Sequence, residues 1–279
     1  MMTTNQTKAD VMTKTLIKNI EAIPPLPESV QDVERIYRDE NATFEDMQKA
    51  IEKDPILTAD ILRIANSPMY GISRTVNSVK LAVSLLGKDA IRAFVLNSAV
   101  NASFKIDLSP YGMTKEQFAF ACERQLALTI NWLIRRKPKQ LGIMAPAAFL
   151  VDLGRVIISK TIIEDGKVDL IKEALGDARD IARAEKNACG MQTTDVTATL
   201  FNNWQLDPEI IHVIRYSDDP EGTIDEDKEM AAELKAIRET VLPNGDITEE
   251  SIALAKETIE EFGLDMESYE KALEKVLNS

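Results

Sequence analysis

Residues 51–86 read IEKDPILTADILRIANSPMYGISRTVNSVKLAVSLL, and they carry the densest local start and stop signals in the chain. Asp54 followed by Pro55 opens a helix. The carboxylate can accept from free backbone N–H groups, and proline at the first helical position lacks an N–H that would have had no partner. Leu57, Ile61, Leu62 and Ala65 recur at helical spacing and mark one buried face. Pro68 stops that helix, because its ring restricts the residue before it and it cannot donate to the ladder. Gly71 lets the chain turn. Ser78 caps a second helix, with Val79, Ala82, Val83 and Leu86 on its apolar stripe, and Gly87 ends it. The stretch predicts a helix, a fixed corner and a second helix.

Working outward, the same signals recur. Residues 1–10 are polar and are expected to be disordered; Val11, Thr15, Ile17 and Ile20 suit a short first helix. Ile23–Pro27 is extended, Ser29 is placed to cap the next helix, and Thr43 caps another. Ile91, Phe94, Val95, Ser98 and Ala99 mark a further helix. Pro110 and Gly112 make a linker, which divides a first bundle at 11–108 from a second at 114–220. Thr114 with Gln117 forms a capping box for a long helix. Met144–Ile163 is apolar on nearly every side and reads as one central buried helix. Lys167–Leu175 and Ala178–Cys189 are amphipathic, and Asp207-Pro208 repeats the device of Asp54-Pro55. Residues 225–279 read as three amphipathic helices that need a surface to pack on, because short helices are marginal alone. No strand pattern longer than a few residues occurs. The fold class is all-α, with two helical bundles and a C-terminal helical appendage.

Composition agrees. The chain has 279 residues, 44% of them hydrophobic and only 5% aromatic, so the core is aliphatic. Two cysteines, Cys122 and Cys189, are too few for a disulfide framework. No apolar run is expected to reach the ~20 residues of a membrane helix, and a cytoplasmic protein without membrane insertion is expected. The net charge of −13 is uneven: residues 218–279 hold 19 acidic and 6 basic side chains, and the rest of the chain is neutral. That balance disfavours nucleic-acid binding, which needs a basic footprint. The cluster Arg135, Arg136, Lys137 and Lys139 suits a helix C-terminus.

The run Asp54-Pro55, Leu57-Thr58, Leu62-Arg63, Ala65-Asn66-Ser67-Pro68, Tyr70-Gly71, followed by Val76–Gly87 and preceded by Ile23-Pro24-Pro25-Leu26-Pro27, resembles the HDOD family. These are bacterial signalling and regulatory domains related to HD phosphohydrolases. The resemblance extends over about Ile20–Pro220. It implies a signalling module acting through a protein partner. The corner of Arg63, Asn66, Ser67, Pro68, Tyr70 and Gly71, with the amphipathic Tyr70 ring, is the candidate recognition element. Turn chemistry alone accounts for the same residues.

The resemblance also implies where a metal site would stand in the HD relatives. In Ala148–Arg155, Val151 stands where a histidine would, beside Asp152. Thr193 stands at a second histidine position, and Ser217 with Asp218 replaces a histidine pair; Glu123 or Arg124 marks an earlier one. Without any family, the count leads the same way. His212 is the only histidine in the chain, and nitrogen or sulfur ligation of a transition metal needs several such side chains. A carboxylate-only site from Asp152, Asp195 and Asp218 is the remaining possibility; against it, Asp152 is expected to take a hydrogen bond or to pair with Arg155 or Arg124. No cofactor is implied. The leading expectation is a non-catalytic HDOD module, with a ligand in the degenerate pocket left open. A residual phosphohydrolase or nucleotide-binding protein using carboxylates alone, and a nucleic-acid binder using Arg135–Lys139, are the alternatives.

Overall fold

The computed structural model describes residues 2–278 apart from Gly71, Ser73, Leu170, 173–180 and Ile224. Among these residues the protein is helical, without strands. Helices α1 (Met2–Glu21), α2 (Glu28–Arg38), α3 (Phe44–Glu52), α4 (Pro55–Ala65) and α5 (Val79–Ser103) are followed by α6 (Lys115–Leu133), α7 (Leu141–Leu150) and α8 (Leu153–Glu164). Then come α9 (Ile181–Cys189), α10 (Thr193–Asn203), α11 (Pro208–Tyr216), α12 (Asp225–Thr240), α13 (Glu249–Glu261) and α14 (Met266–Leu277).

The caps account for most of these boundaries. Asp54 Oδ1 accepts from the N–H groups of Ile56 and Leu57 at 3.0 and 3.1 Å, with Pro55 at the first helical position. Ser78 caps α5, and Thr114 with Gln117 closes a capping box at α6. Gly87 breaks α5 at φ 82° and ψ 167°, a backbone open only to glycine, so the two halves of α5 meet at a kink. Ser29 does not cap α2; its hydroxyl donates to Asp54 Oδ2 at 2.8 Å and ties α2 to the start of α4.

Three sequence expectations are corrected. Helix α1 runs back to Met2, through the segment assigned to disorder. The 144–163 stretch is two helices, α7 and α8, separated at Val151 and Asp152. The Thr197 hydroxyl fixes that break, donating to Val151 O at 2.8 Å and accepting from Gly154 N at 2.7 Å. Gly154 lies so close to α10 that a Cβ there would stand 2.0 Å from Thr193 O. Finally, 138–164 is long and apolar enough, by length and composition, to cross a bilayer. Nearly all of its apolar window, 94%, is buried inside the protein, so it serves here as the core layer.

The bundles share a single apolar core. Helix α5 packs on α7, and α1 crosses to lie on α8, α9 and α10. Arg92 on α5, fully buried, holds Glu34 of α2 through two 2.8 Å hydrogen bonds and donates to Gly142 O on α7 at 2.8 Å. It belongs to the interior rather than to a solvated face. The acidic C-terminal helices pack as the amphipathic pattern requires. Helix α14 lies on α6, where Trp132 meets Tyr269 edge-on at 5.3 Å and donates to Ser268 Oγ at 3.0 Å. Tyr269 also bonds the Thr240 hydroxyl at 2.8 Å. Arg136 and Lys137 pair with the buried Glu233 of α12, so half of the basic cluster is committed within the chain.

Tyr269→Ala should therefore lower the unfolding free energy by about 3–5 kcal/mol, the usual loss for truncating a buried aromatic ring. Denaturant titration followed by tryptophan fluorescence and by circular dichroism should show one shifted transition on both probes. A local loosening of α14 with the body unmoved would count against a C-terminal segment integral to the fold.

Candidate functional site

The pocket around Asp152 forms where α6, α8, α9, α10, the end of α11 and α12 meet. Asp152 stands in the α7–α8 break, 4% exposed. Its Oδ2 accepts from Gln125 Nε2 of α6 at 2.9 Å, and its Oδ1 lies 3.4 Å from both Arg155 of α8 and Arg238 of α12. Arg238 also pairs with Asp218 just past α11, and Ser217 Oγ is 3.4 Å away. Asp218 Oδ2 further accepts from Thr194 at 2.6 Å and Gln192 at 3.1 Å. Behind Arg155, Glu185 of α9 lies 3.7 Å off and accepts from the Tyr111 hydroxyl at 2.9 Å. It also accepts from the Thr193 hydroxyl at 2.8 Å and the Thr193 N–H at 2.6 Å.

Electrostatics explains the arrangement. Burial pushes the Asp152 carboxyl up, but the guanidiniums of Arg155 and Arg238, with the bond from Gln125, more than reverse this and hold it below its ordinary value. Burial wins at Glu185, which is raised despite Arg155 and Thr193. A buried carboxylate needs a partner of opposite charge or a proton; Asp152 has the first.

The structure thus brings together Asp152, Ser217 and Asp218 through Arg238, and joins Thr193 through Glu185 and Arg155. Val151 lends only its carbonyl. The expected pairing of Asp152 with Arg155 is present. Arg124 goes elsewhere, donating to Gly245 O at 2.8 Å. Asp195 is not part of this network. Residues that were not candidate site residues complete it, Gln125, Glu185 and Arg238 foremost among them. Arg238 stands in an acidic segment as one cation among many carboxylates, and Glu185 on an amphipathic helix; neither position has a distinctive spacing. The donors do not fit a metal ion. The Val151 side chain has no ligand atom and its carbonyl is taken by Thr197, the Thr193 and Ser217 hydroxyls donate to Glu185 and to Ile214 O, and both carboxylates face guanidiniums. Among the described residues no group of three or more His, Cys, Asp or Glu could hold an ion.

The corner is built inward. Asn66 donates to Leu62 O and Val76 O at 2.6 and 2.8 Å and accepts from Val76 N at 2.9 Å, closing the turn. Pro68–Tyr70 is a single 3₁₀ turn. The Tyr70 ring meets Phe94 at 5.4 Å, and Ser67 reaches Glu123 on α6 at 3.4 Å. Arg63 faces solvent, near Asp60. Gly71 lies outside the described residues.

The HDOD domain family matches residues 23–220, more than half of the chain. The protein belongs to the HDOD domain family. Solved structures share its fold. A virulence factor from Campylobacter jejuni is 27% identical over 95% of this chain and 94% of its own, with a TM-score of 0.58. A protein from Shewanella amazonensis, provisionally named a phosphohydrolase, is 20% identical over 95% and 94%, with a TM-score of 0.74. An HDOD domain protein of unknown function from Geobacter sulfurreducens is 19% identical over 96% and 93%, with a TM-score of 0.66. No curated protein matches. The family span of this HDOD protein ends at Pro220, so Arg238 reaches the pocket from beyond it.

Two outcomes follow for the HDOD protein. Arg238→Met should cost about 3–5 kcal/mol, because it leaves Asp218 without its ion pair and Asp152 with Arg155 alone. Adding Asp152→Asn and Asp218→Asn to that variant should restore much of the loss, as chemical denaturation would record. The pH dependence should also be inverted from the common pattern. Burial holds Glu123, Glu185, Glu233 and Glu239 above the ordinary 4.5. The folded state then binds their protons more tightly than the unfolded state, so stability falls as pH rises from 4.5 through their folded values. Asp152 acts oppositely. Its contribution is present above the ordinary 3.8 and is lost as pH falls through its lowered folded value. Melting temperature should be higher at pH 5 than at pH 8.

Proposed function

We propose that this HDOD protein is a non-catalytic regulatory module that acts by binding a signalling protein. The observation that carries the reading is the placement of Arg155 and Arg238 on Asp152 and Asp218. Two fixed organic cations stand against the carboxylates that a hydrolytic metal site would need. With no ligand atom on the Val151 side chain, the pocket has neither the donors nor the free charge for a hydrolytic ion. The HD-like bundle then serves as a rigid scaffold.

The acidic surface of α12–α14 favours a partner with a basic face, and association with it should slow as salt rises. The name of the Shewanella amazonensis relative keeps a hydrolase as the competing reading. The nucleic-acid reading is weakened by the pairing of Arg136 and Lys137 with Glu233.

The test is direct. Purified protein incubated with Mg²⁺ or Mn²⁺ should leave cyclic dinucleotides and phosphodiester model substrates intact, and elemental analysis should find no stoichiometric transition metal. Turnover abolished by Asp152→Ala would overturn the proposal. Affinity capture from the native cell should recover a protein partner whose binding rate drops between low and physiological salt.

A further inference from the structure

Away from the Asp152 network, an open cleft of about 440 Å3 lies between α2, the end of α10 and one face of α11. Pro208, Ile211, His212 and Arg215 line it at i, i+3, i+4 and i+7, a single stripe along α11. Leu206, Pro208 and Ile211 make an apolar wall. Arg215 and Arg38 bring guanidiniums from two different helices.

The charges in this cleft are under-compensated. Arg215 is exposed and makes no ion pair among the described residues. Arg38 lies 3.8 Å from Glu34, but Glu34 holds Arg92 with both of its oxygens at 2.8 Å. Arg38 donates instead to Gln205 O at 3.1 Å, which fixes it over the cleft. His212 is oriented by the Thr223 hydroxyl, by Asp227 at 3.6 Å and by the Tyr216 ring at 4.6 Å. Arg38 of α2 and Arg215 of α11 both line this one concave surface, in a chain of net charge −13.

Gln205 adds a second observation. Among the described residues it is the only non-glycine in the left-handed region, at φ 55°. It stands just past the last turn of α10, where its N–H bonds Asn202 O and the N–H of Leu206 bonds Phe201 O, each at 3.0 Å. Glycine is the usual occupant of that position, since it has no Cβ to strain. A glutamine here holds a polar side chain on the cleft at the expense of backbone comfort, and such outliers concentrate at functional sites.

We propose that this cleft binds a phosphorylated small molecule with a flat apolar body, of nucleotide size. The two guanidiniums would take the phosphate, for which their planar forks are suited. The wall of Leu206, Pro208 and Ile211 would take the apolar part, and Gln205 would bond its polar edge. The volume lies in the range of small-molecule sites. The inference stands apart from the Asp152 network and does not depend on that pocket being silent.

The experiment is calorimetric and NMR titration of the full chain with AMP, and with adenosine and inorganic phosphate as its two halves. AMP should bind saturably at one site, at least tenfold more tightly than either half. Arg215→Ala should weaken AMP at least tenfold, as expected for loss of a charge-assisted contact. Gln205→Gly should weaken AMP while the melting temperature holds or rises, which a merely structural glutamine would not combine. Lys271→Ala, on the exposed face of α14, should leave AMP affinity unchanged. No saturable AMP binding at millimolar concentration, equal affinity for adenosine, or indifference to Arg215→Ala would each overturn the proposal.

Discussion

The structure depends on one buried negative charge. Asp152 sits at a break in the most apolar part of the chain, where an unpaired carboxylate could not remain ionised. Its charge is kept by Arg155, one turn along the same helix, and by Arg238, which arrives from the C-terminal segment. The other polar residues of the pocket gather around those three groups. Gln125 takes the free carboxylate oxygen, Asp218 takes the second face of Arg238, and Glu185 with Tyr111 backs Arg155. Buried ion pairs add little net stability against an apolar replacement, but removing one member is costly. The network therefore acts as a constraint on geometry more than as a source of stability. It fixes six separate segments in one relation.

This gives the C-terminal helices a different standing from that of an appendage. The acidic residues of α12–α14 suggest a solvated tail, but one cation among them is required at the centre of the second bundle. Glu233 is also buried beneath Arg136 and Lys137, and Tyr269 is seated on Trp132. The excess negative charge is what remains on the outer faces after these residues have been drawn inward. A surface of one sign carried on a rigid body suits selective recognition better than the same charges on a flexible chain, because it loses less conformational entropy on binding.

The corner of the first bundle and the pocket of the second are joined physically. Ser67 reaches Glu123 on α6, and Gln125, two residues farther along the same helix, holds Asp152. Tyr70 packs on Phe94, which packs on Phe149 of α7 just before the helix break. The corner motif of the family is thus stacked against the segment that carries Asp152. Arg92, bonded to Glu34 and Gly142, pins the same two bundles at their other end.

Local chemistry made much of the fold legible from sequence. Asp54-Pro55, Ser78, Gly87 and the Thr114–Gln117 box act through the backbone of their own neighbours, so their effect does not need the rest of the protein. The apolar periodicity of α14 likewise showed that Tyr269 and Val276 must be covered. Sequence also placed Val151, Thr193, Ser217 and Asp218 in one pocket, through the resemblance their segments carry. It could not supply Arg238 or Glu185, since a single charged residue on an amphipathic helix looks the same whether it meets water or a buried carboxylate. Nor could it divide 144–163 into two helices, because the break is made by the Thr197 hydroxyl and by the close approach of Thr193 to Gly154, both more than thirty-five residues away in the chain. What acts within a few residues was written in the sequence. What depends on which distant groups share a low-dielectric interior was decided only by tertiary packing, because burial changes the energy of a charge far more than its neighbours in sequence do.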